Sequence, residues 1–136
     1  MNNVLIDSSA WIEYFRGNKA YQFIKVLIYN NMTCTNDLIL TELLPSIRHK
    51  KEMHLEELLN SITKYEVKIN WQELQDFQLL NFKHGYNNIG VTDLIIAQNC
   101  LQNNLNIIAE DKHFKEMAEY LPLKIFTKNN VFDDKE

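Results

Sequence analysis

Four acidic residues of this chain stand in apolar company. Asp7 follows Val4, Leu5 and Ile6; Glu42 interrupts LILTELL; Asp93 lies in IGVTDLIIA; Asp111 follows NIIAE. The other acids differ: Glu56, Glu57, Glu73, Asp76, Glu116 and Glu119 fall on amphipathic patterns and read as solvated helix faces. An ionised carboxylate in apolar surroundings is costly unless it is paired or binds metal. Each of the four has a local explanation. Asp7, Asp93 and Asp111 can each cap a helix or sit in its first turn, whereas mid-helix Glu42 needs a lysine or arginine from elsewhere. Together they say more. A cluster of such groups would repel itself and shift its own pKa values unless a divalent cation neutralised it. Oxygen ligands without His or Cys select Mg²⁺ or Mn²⁺ over zinc. A cation of that kind suits phosphoryl chemistry: it polarises the phosphate, lowers the pKa of a bound water and steadies the leaving oxygen.

The elements that must position these acids are legible in outline. Val4–Ile6 is a short buried strand, and Ser8 or Ser9 caps a helix that holds Trp11, Ile12 and Phe15 and ends at Gly17. A helix is expected from about Lys19 to Tyr29, then a strand over Met32–Thr35. Asn36 or Asp37 caps LILTELLPSIRHK, with Pro45 expected to kink or interrupt it. LEELLNSI reads as a helix and YEVKI, by its alternation, as a strand. Asn70 caps a helix that reaches His84 and stops at Gly85. TDLIIAQNCLQNN is a helix from Thr92 or Asp93 to Asn103–Asn104, NIIAE a strand, KHFKEMAEYL a helix and LKIF a last strand. Strands alternating with helices, the strands short and continuously apolar, predict an α/β fold with a parallel sheet covered on both faces. Sites in such sheets lie beyond the carboxyl ends of the strands. Asp7 and Asp111 are placed there by sequence alone, and Asp93 opens a helix that can face the same edge.

Composition narrows the classes. The 136 residues are 46% hydrophobic and 24% charged, which fits one globular domain. No apolar run approaches the roughly 20 residues of a membrane span. The first residues lack the pattern of a secretory signal, so the expectation is a cytoplasmic protein. A net charge of −4 argues against affinity for nucleic acid through a general positive field, although a bound cation inverts the local sign. Cys34 and Cys100 match no metal spacing and read as buried reduced thiols. No Ser-His-Asp or Cys-His arrangement is evident. His49, His54, His84 and His113 are scattered in polar surroundings, so no pair for metal-free ribonuclease chemistry can be identified.

These residues resemble a known family. VLIDSSAWIEYFRG is similar to the opening motif of the PIN-domain ribonucleases, LILTELL to the segment that carries their helical Glu, and IGVTDLIIAQNCLQNNLNIIAEDKHF to their third acidic block. In size and layout the chain resembles the VapC-type toxins of bacterial toxin–antitoxin pairs. The match covers nearly the whole chain in the right order. The resemblance implies a PIN-like three-layer α/β/α fold on a central parallel sheet of four to five strands. It implies a nuclease domain over residues 1–128, with 129–136, ending in DDKE, as a solvated tail. It further implies metal-binding, catalytic acids at Asp7, Glu42, Asp93 and Asp111, and Ser8 as the small hydroxyl residue that helps hold the first acid or a water.

The implied reaction is Mg²⁺-dependent cleavage of single-stranded RNA by metal-activated water, with Mn²⁺ as substitute, leaving a 5′-phosphate and a 3′-hydroxyl. The implied partners are a cognate antitoxin laid over the first helices, where an apolar patch around Trp11, Tyr14 and Phe15 would suit it, and a second copy in a homodimer. Arg16, Lys19, Arg48, Lys50 and Lys51 are the candidates for RNA contact; the bland alternative is a solvated charged face. One block departs from the family. Where it often reads Thr-x-Asp-x-Asp-Phe, this chain has Ala109, Glu110, Asp111, Lys112, His113 and Phe114. The Thr hydroxyl is lost and His113 replaces the second Asp; a solvent-facing or capping role is expected for it ahead of phosphate or metal contact. Other readings stay open: a housekeeping RNA-processing PIN nuclease, an inactive PIN-like binding module, or a receiver or phosphatase domain. A phosphatase would want an Asp where Ser9 stands, and a receiver leaves Glu42 without a role.

Overall fold

The computed structural model describes residues 3–127. The expected tail at 129–136, and Lys128 before it, lie outside the described residues. Five parallel strands form one sheet in the order β3-β2-β1-β4-β5, where β1 is Val4–Ile6, β2 Thr33–Thr35, β3 Thr63–Lys64, β4 Asn106–Ile108 and β5 Lys124–Ile125. The helices are α1 (Ser8–Phe15), α2 (Ile24–Tyr29), α3 (Asp37–His49), α4 (Met53–Ser61), α5 (Trp71–Lys83), α6 (Val91–Asn103) and α7 (His113–Met117). This is the α/β architecture that the alternating pattern predicts.

β1 is the centre of the sheet. Val4, Leu5 and Ile6 are all 0% exposed. Neighbouring strand residues point to opposite faces, so full burial of all three requires helices on both sides of the sheet. Leu5 lies level with Cys34 of β2 and Ile107 of β4, and Ile6 with Ile108. The strand order reverses at β1, because chain order runs outward to β3 on one side and then returns to β4 on the other. In sheets of this kind such a reversal marks where sites form, and it lies here at the carboxyl ends of β1 and β4, where Asp7 and Asp111 follow their strands.

A buried amide network ties the helices to this frame. Asn36, 0% exposed, caps α3 by accepting from the Ile39 amide at 2.9 Å. Its Nδ2 donates to Asn99 Oδ1 of α6 at 3.0 Å, and Asn99 Nδ2 donates to the Glu66 carbonyl at 3.0 Å. One cap residue thus fixes the helix that carries Glu42 against the helix that carries Asp93.

Several local expectations shift. The strand expected over YEVKI, residues 65–69, is not formed there; the strand observed is the two residues just before it, Thr63–Lys64. The following segment is bound instead by α6 side chains: Asn99 to the Glu66 carbonyl, Gln102 to Lys68 at 2.8 Å and Gln98 to Asn70 at 3.0 Å. Side-chain amides there do the work of a neighbouring strand. Asp7, rather than Ser8 or Ser9, is the N-cap of α1. The helix expected from Lys19 to Tyr29 is a 3₁₀ turn at Lys19–Tyr21 followed by α2, and α7 is shorter than its sequence pattern. Pro45 does not interrupt α3, which runs through it. Gly17 and Gly85 end their helices at φ of +81° and +84°, as their positions predict.

Candidate active site

Each of the four acids comes from a different element. Asp7 leaves β1 with only 4% of its surface exposed. Its Oδ2 accepts from Ser9 Oγ at 2.6 Å and from the Ser9 amide at 3.3 Å. Ser9 Oγ in turn accepts from the Glu110 amide at 3.0 Å. One hydroxyl therefore joins the end of β1 to the loop after β4, and Ser9 is a positioning residue that sequence reading passed over. The signal was present: a cap residue followed two positions later by a hydroxyl can form this bond locally.

Glu42 lies on the exposed side of α3, not in the buried position that its apolar neighbours suggest. The period of the helix explains this, because Ile39, Leu40, Leu43 and Leu44 turn inward around it. Its Oε1 accepts from Ser8 Oγ at 3.1 Å. So Ser8 supports the second acid and Ser9 the first. Asp93 sits in the first turn of α6, whose N-cap is Gly90 without a side-chain cap. Asp93 Oδ2 pairs with His113 Nδ1 at 2.7 Å, with side chains 19% and 25% exposed. Asp111 Oδ1 accepts from the His113 amide at 3.0 Å. His113 is thus bound to two of the acids, and its ring is turned into the site rather than out to solvent.

The electrostatics follow from this crowding. Removal from water is the first cause raising the carboxyl pKa at all four positions, nearly complete at Asp7 and only partial at Asp93, Asp111 and the more exposed Glu42. The acids also raise one another. Asp111 acts on Asp7; Asp7, Asp93 and Asp111 act on Glu42; Asp7 acts on Asp93; and Asp93 acts on Asp111. Hydrogen bonds oppose the rise, from Ser9 at Asp7, Ser8 at Glu42 and His113 at Asp93. Among the described residues no lysine or arginine pairs with any of the four: the other ion pairs are Arg16–Glu13, Arg48–Glu56 and Lys64–Asp37. A site that holds mutually repelling carboxylates, with a histidine on one of them and no lysine or arginine paired to any, could hold a cation. Oxygens of Asp93 and Asp111 and a ring nitrogen of His113 all lie within 4.8 Å of one another, close enough that they could hold one ion, while Asp7 and Glu42 stand outside that group.

The basic candidates divide. Arg16 and Lys50 line a groove of about 320 Å³ that runs from Glu42 between α1 and α3, walled by Ile12, Phe15 and Leu43. Arg48 turns to a different cavity with Asp37 and Lys64, away from the acids. Lys19 and Lys51 are exposed and line neither. The expected apolar patch changes too: Trp11 is fully buried and stacks on Phe15 at 5.4 Å, leaving Ile12 and Phe15 to face the groove.

No curated protein matches the sequence. Among solved structures, the chain is similar to one from a DNA-bound VapBC of Salmonella typhimurium, at a TM-score of 0.70 and 15% identity over 94% of this chain and 99% of that one. It is also similar to one in VapBC2 of Rickettsia felis bound to a promoter DNA fragment, at 0.69 and 15%, covering 90% and 96%. A third likeness is to VapBC-1 of nontypeable Haemophilus influenzae, at 0.67 and 18%, covering 93% and 98%. At these identities the likeness is one of fold. The PIN domain model matches residues 4–120, a span that takes in all four acids and every strand but the last. With its acids gathered at the reversal of a five-strand parallel sheet, the chain belongs to the PIN domain family.

Proposed function

We propose that this chain is a divalent-cation-dependent endoribonuclease, acting as the toxin of a type II toxin–antitoxin pair, with Asp7, Glu42, Asp93 and Asp111 as its cation ligands and catalytic acids. One observation carries the reading: carboxylates from four separate elements raise one another's pKa, and among the described residues none of them forms an ion pair with a lysine or arginine. The PIN domain is a nuclease family, which supports hydrolysis of a phosphodiester. A bound Mg²⁺ or Mn²⁺ would supply Lewis acidity at the phosphate and activate the attacking water. The chain's own residues do the rest. Ser9 holds Asp7 in line with the loop that bears Asp111, and Ser8 holds Glu42 toward the same opening. Arg16 and Lys50 stand at the groove that leads from Glu42 and can take the flanking phosphates of single-stranded RNA.

The likeness to chains solved within VapBC complexes supports an antitoxin partner. The groove walled by Ile12, Phe15, Leu43, Ile47 and Leu55 suits an apolar segment from such a partner, with a basic side chain reaching Glu42. A homodimer and a cytoplasmic setting belong to the same reading, and no helix among the described residues is long and apolar enough to cross a membrane.

The test is cleavage of labelled single-stranded RNA with Mg²⁺ or Mn²⁺, its loss with chelator and its loss in Asp7→Asn. Cleavage that survives chelation defeats the reading. Expression in a host separates a toxin from a housekeeping enzyme: a toxin arrests growth and the Asp93→Asn variant does not.

A further inference from the structure

The function read above leaves one side chain unexplained. His113 stands where the family often carries an acid, and its ring lies in the acid cluster. Nδ1 is 2.7 Å from Asp93 Oδ2, the His113 amide donates to Asp111, and one oxygen of each acid lies within 4.8 Å of a ring nitrogen. Two atoms bound to neighbouring positions of an octahedral ion at about 2.1 Å each stand about 3.0 Å apart. The Asp93–His113 spacing is close to that edge, so an ion can take the place of the proton between them, the ring then carrying its proton on Nε2, with a small outward movement of either side chain.

We infer that His113 is a nitrogen ligand, so that Asp93, Asp111 and His113 form a mixed oxygen and nitrogen site that prefers a transition-metal cation such as Mn²⁺ to Mg²⁺. The inference rests on the cation-dependent reading of the same site. Mg²⁺ favours oxygen ligands and keeps its waters, whereas imidazole binds first-row transition metals well. Exchanging a carboxylate for an imidazole also removes one negative charge from a crowded site, which lowers its purely electrostatic hold on Mg²⁺ while adding a bond that Mn²⁺ can use. The hydrogen bond to Asp93 holds the imidazole in place before any ion arrives.

The experiment uses the full chain without a histidine tag, stripped of metal, titrated calorimetrically with Mn²⁺ and with Mg²⁺, and followed by pulsed electron paramagnetic resonance of the Mn²⁺ complex. The expected results are ¹⁴N modulation from one bound imidazole and Mn²⁺ affinity at least about tenfold above that for Mg²⁺. In His113→Asp, Mn²⁺ still binds, the modulation disappears and the Mn²⁺ to Mg²⁺ affinity ratio falls about tenfold. His113→Asn, with circular dichroism as the check of folding, gives the same loss of modulation should the aspartate variant fold poorly. A bound Mn²⁺ without ¹⁴N modulation, or modulation that persists in these variants, overturns the inference and leaves the acid site standing; His113 is then a hydrogen-bond partner of Asp93 and no more. No Mn²⁺ binding, or affinity unchanged in both Asp7→Asn and Asp111→Asn, overturns the acid site itself.

Discussion

Ser9 Oγ gives its proton to Asp7 Oδ2 at 2.6 Å while accepting the Glu110 amide at 3.0 Å. A single hydroxyl so fixes the most buried acid and the loop that carries Asp111. Ser9→Ala should free both. We expect a loss of about 1–2 kcal/mol of stability, from a broken charge-assisted bond and an unmade amide bond, and a fall in RNA cleavage of about tenfold or more. Ser8→Ala, whose partner Glu42 is exposed, should cost less than half as much stability. Chemical denaturation and initial cleavage rates compare the two.

The raised acids set a pH dependence whose sign is fixed. Each folded carboxyl holds its proton to higher pH than its unfolded counterpart. Their cost to folding is therefore absent at low pH, grows as pH rises from the ordinary carboxylate range through the raised values, and is complete above them. Asp7→Asn removes one such cost. At about pH 7.5 without metal, the variant should melt at or above the temperature of the parent chain, and the difference should shrink toward about pH 4. The same variant should cleave RNA at least about 100-fold more slowly. A variant that is more stable and inactive would separate function from folding at this position.

Addition of cation should work in the same direction as that substitution. At a concentration of about 100 times its Kd, Mn²⁺ should raise the melting temperature by about 5–10 °C near pH 7.5. The gain should diminish as pH falls and protons compete for the same oxygens. A thermal melt series with Mn²⁺ and chelator over pH measures it.

Asn36 joins the helices that bear Glu42 and Asp93 from a fully buried position. Asn36→Ala removes a helix cap and strands the Asn99 carbonyl, for an expected loss of about 2–4 kcal/mol. Asn36→Asp keeps the cap to Ile39 but cannot donate to Asn99, so its cost isolates the link between α3 and α6. Urea denaturation of both variants reads the difference.

Both thiols should be inert in the folded chain. Burial pushes Cys34 up to about 12 and raises Cys100 further, with both side chains inaccessible. Alkylation by iodoacetamide at about pH 8 should label neither until the chain is unfolded, because the thiolate is the reactive form.

The frame was legible in the sequence. β1, α3, α6 and β4 are strongly patterned, and the acids stand out against them because an apolar run makes a carboxylate conspicuous. Two kinds of information were not written in pattern. The first is the partner of each small polar residue: Ser8 and Ser9 are adjacent and chemically identical, yet one serves Glu42 and the other Asp7, which only the helix turn decides. The second is anything that depends on distant packing. The two-residue β3 is settled by amides on α6 more than 30 positions later, and the inward ring of His113 by an acid 20 positions earlier. Trp11 belongs to the same lesson, since helical spacing alone does not say which flank of α1 faces the sheet.

The two outermost strands are only two residues long, and each bears a lysine, Lys64 at one margin and Lys124 at the other. Short, positively charged margins resist the docking of a further strand. Two copies of this chain are thereby steered away from merging into one continuous ribbon through either margin.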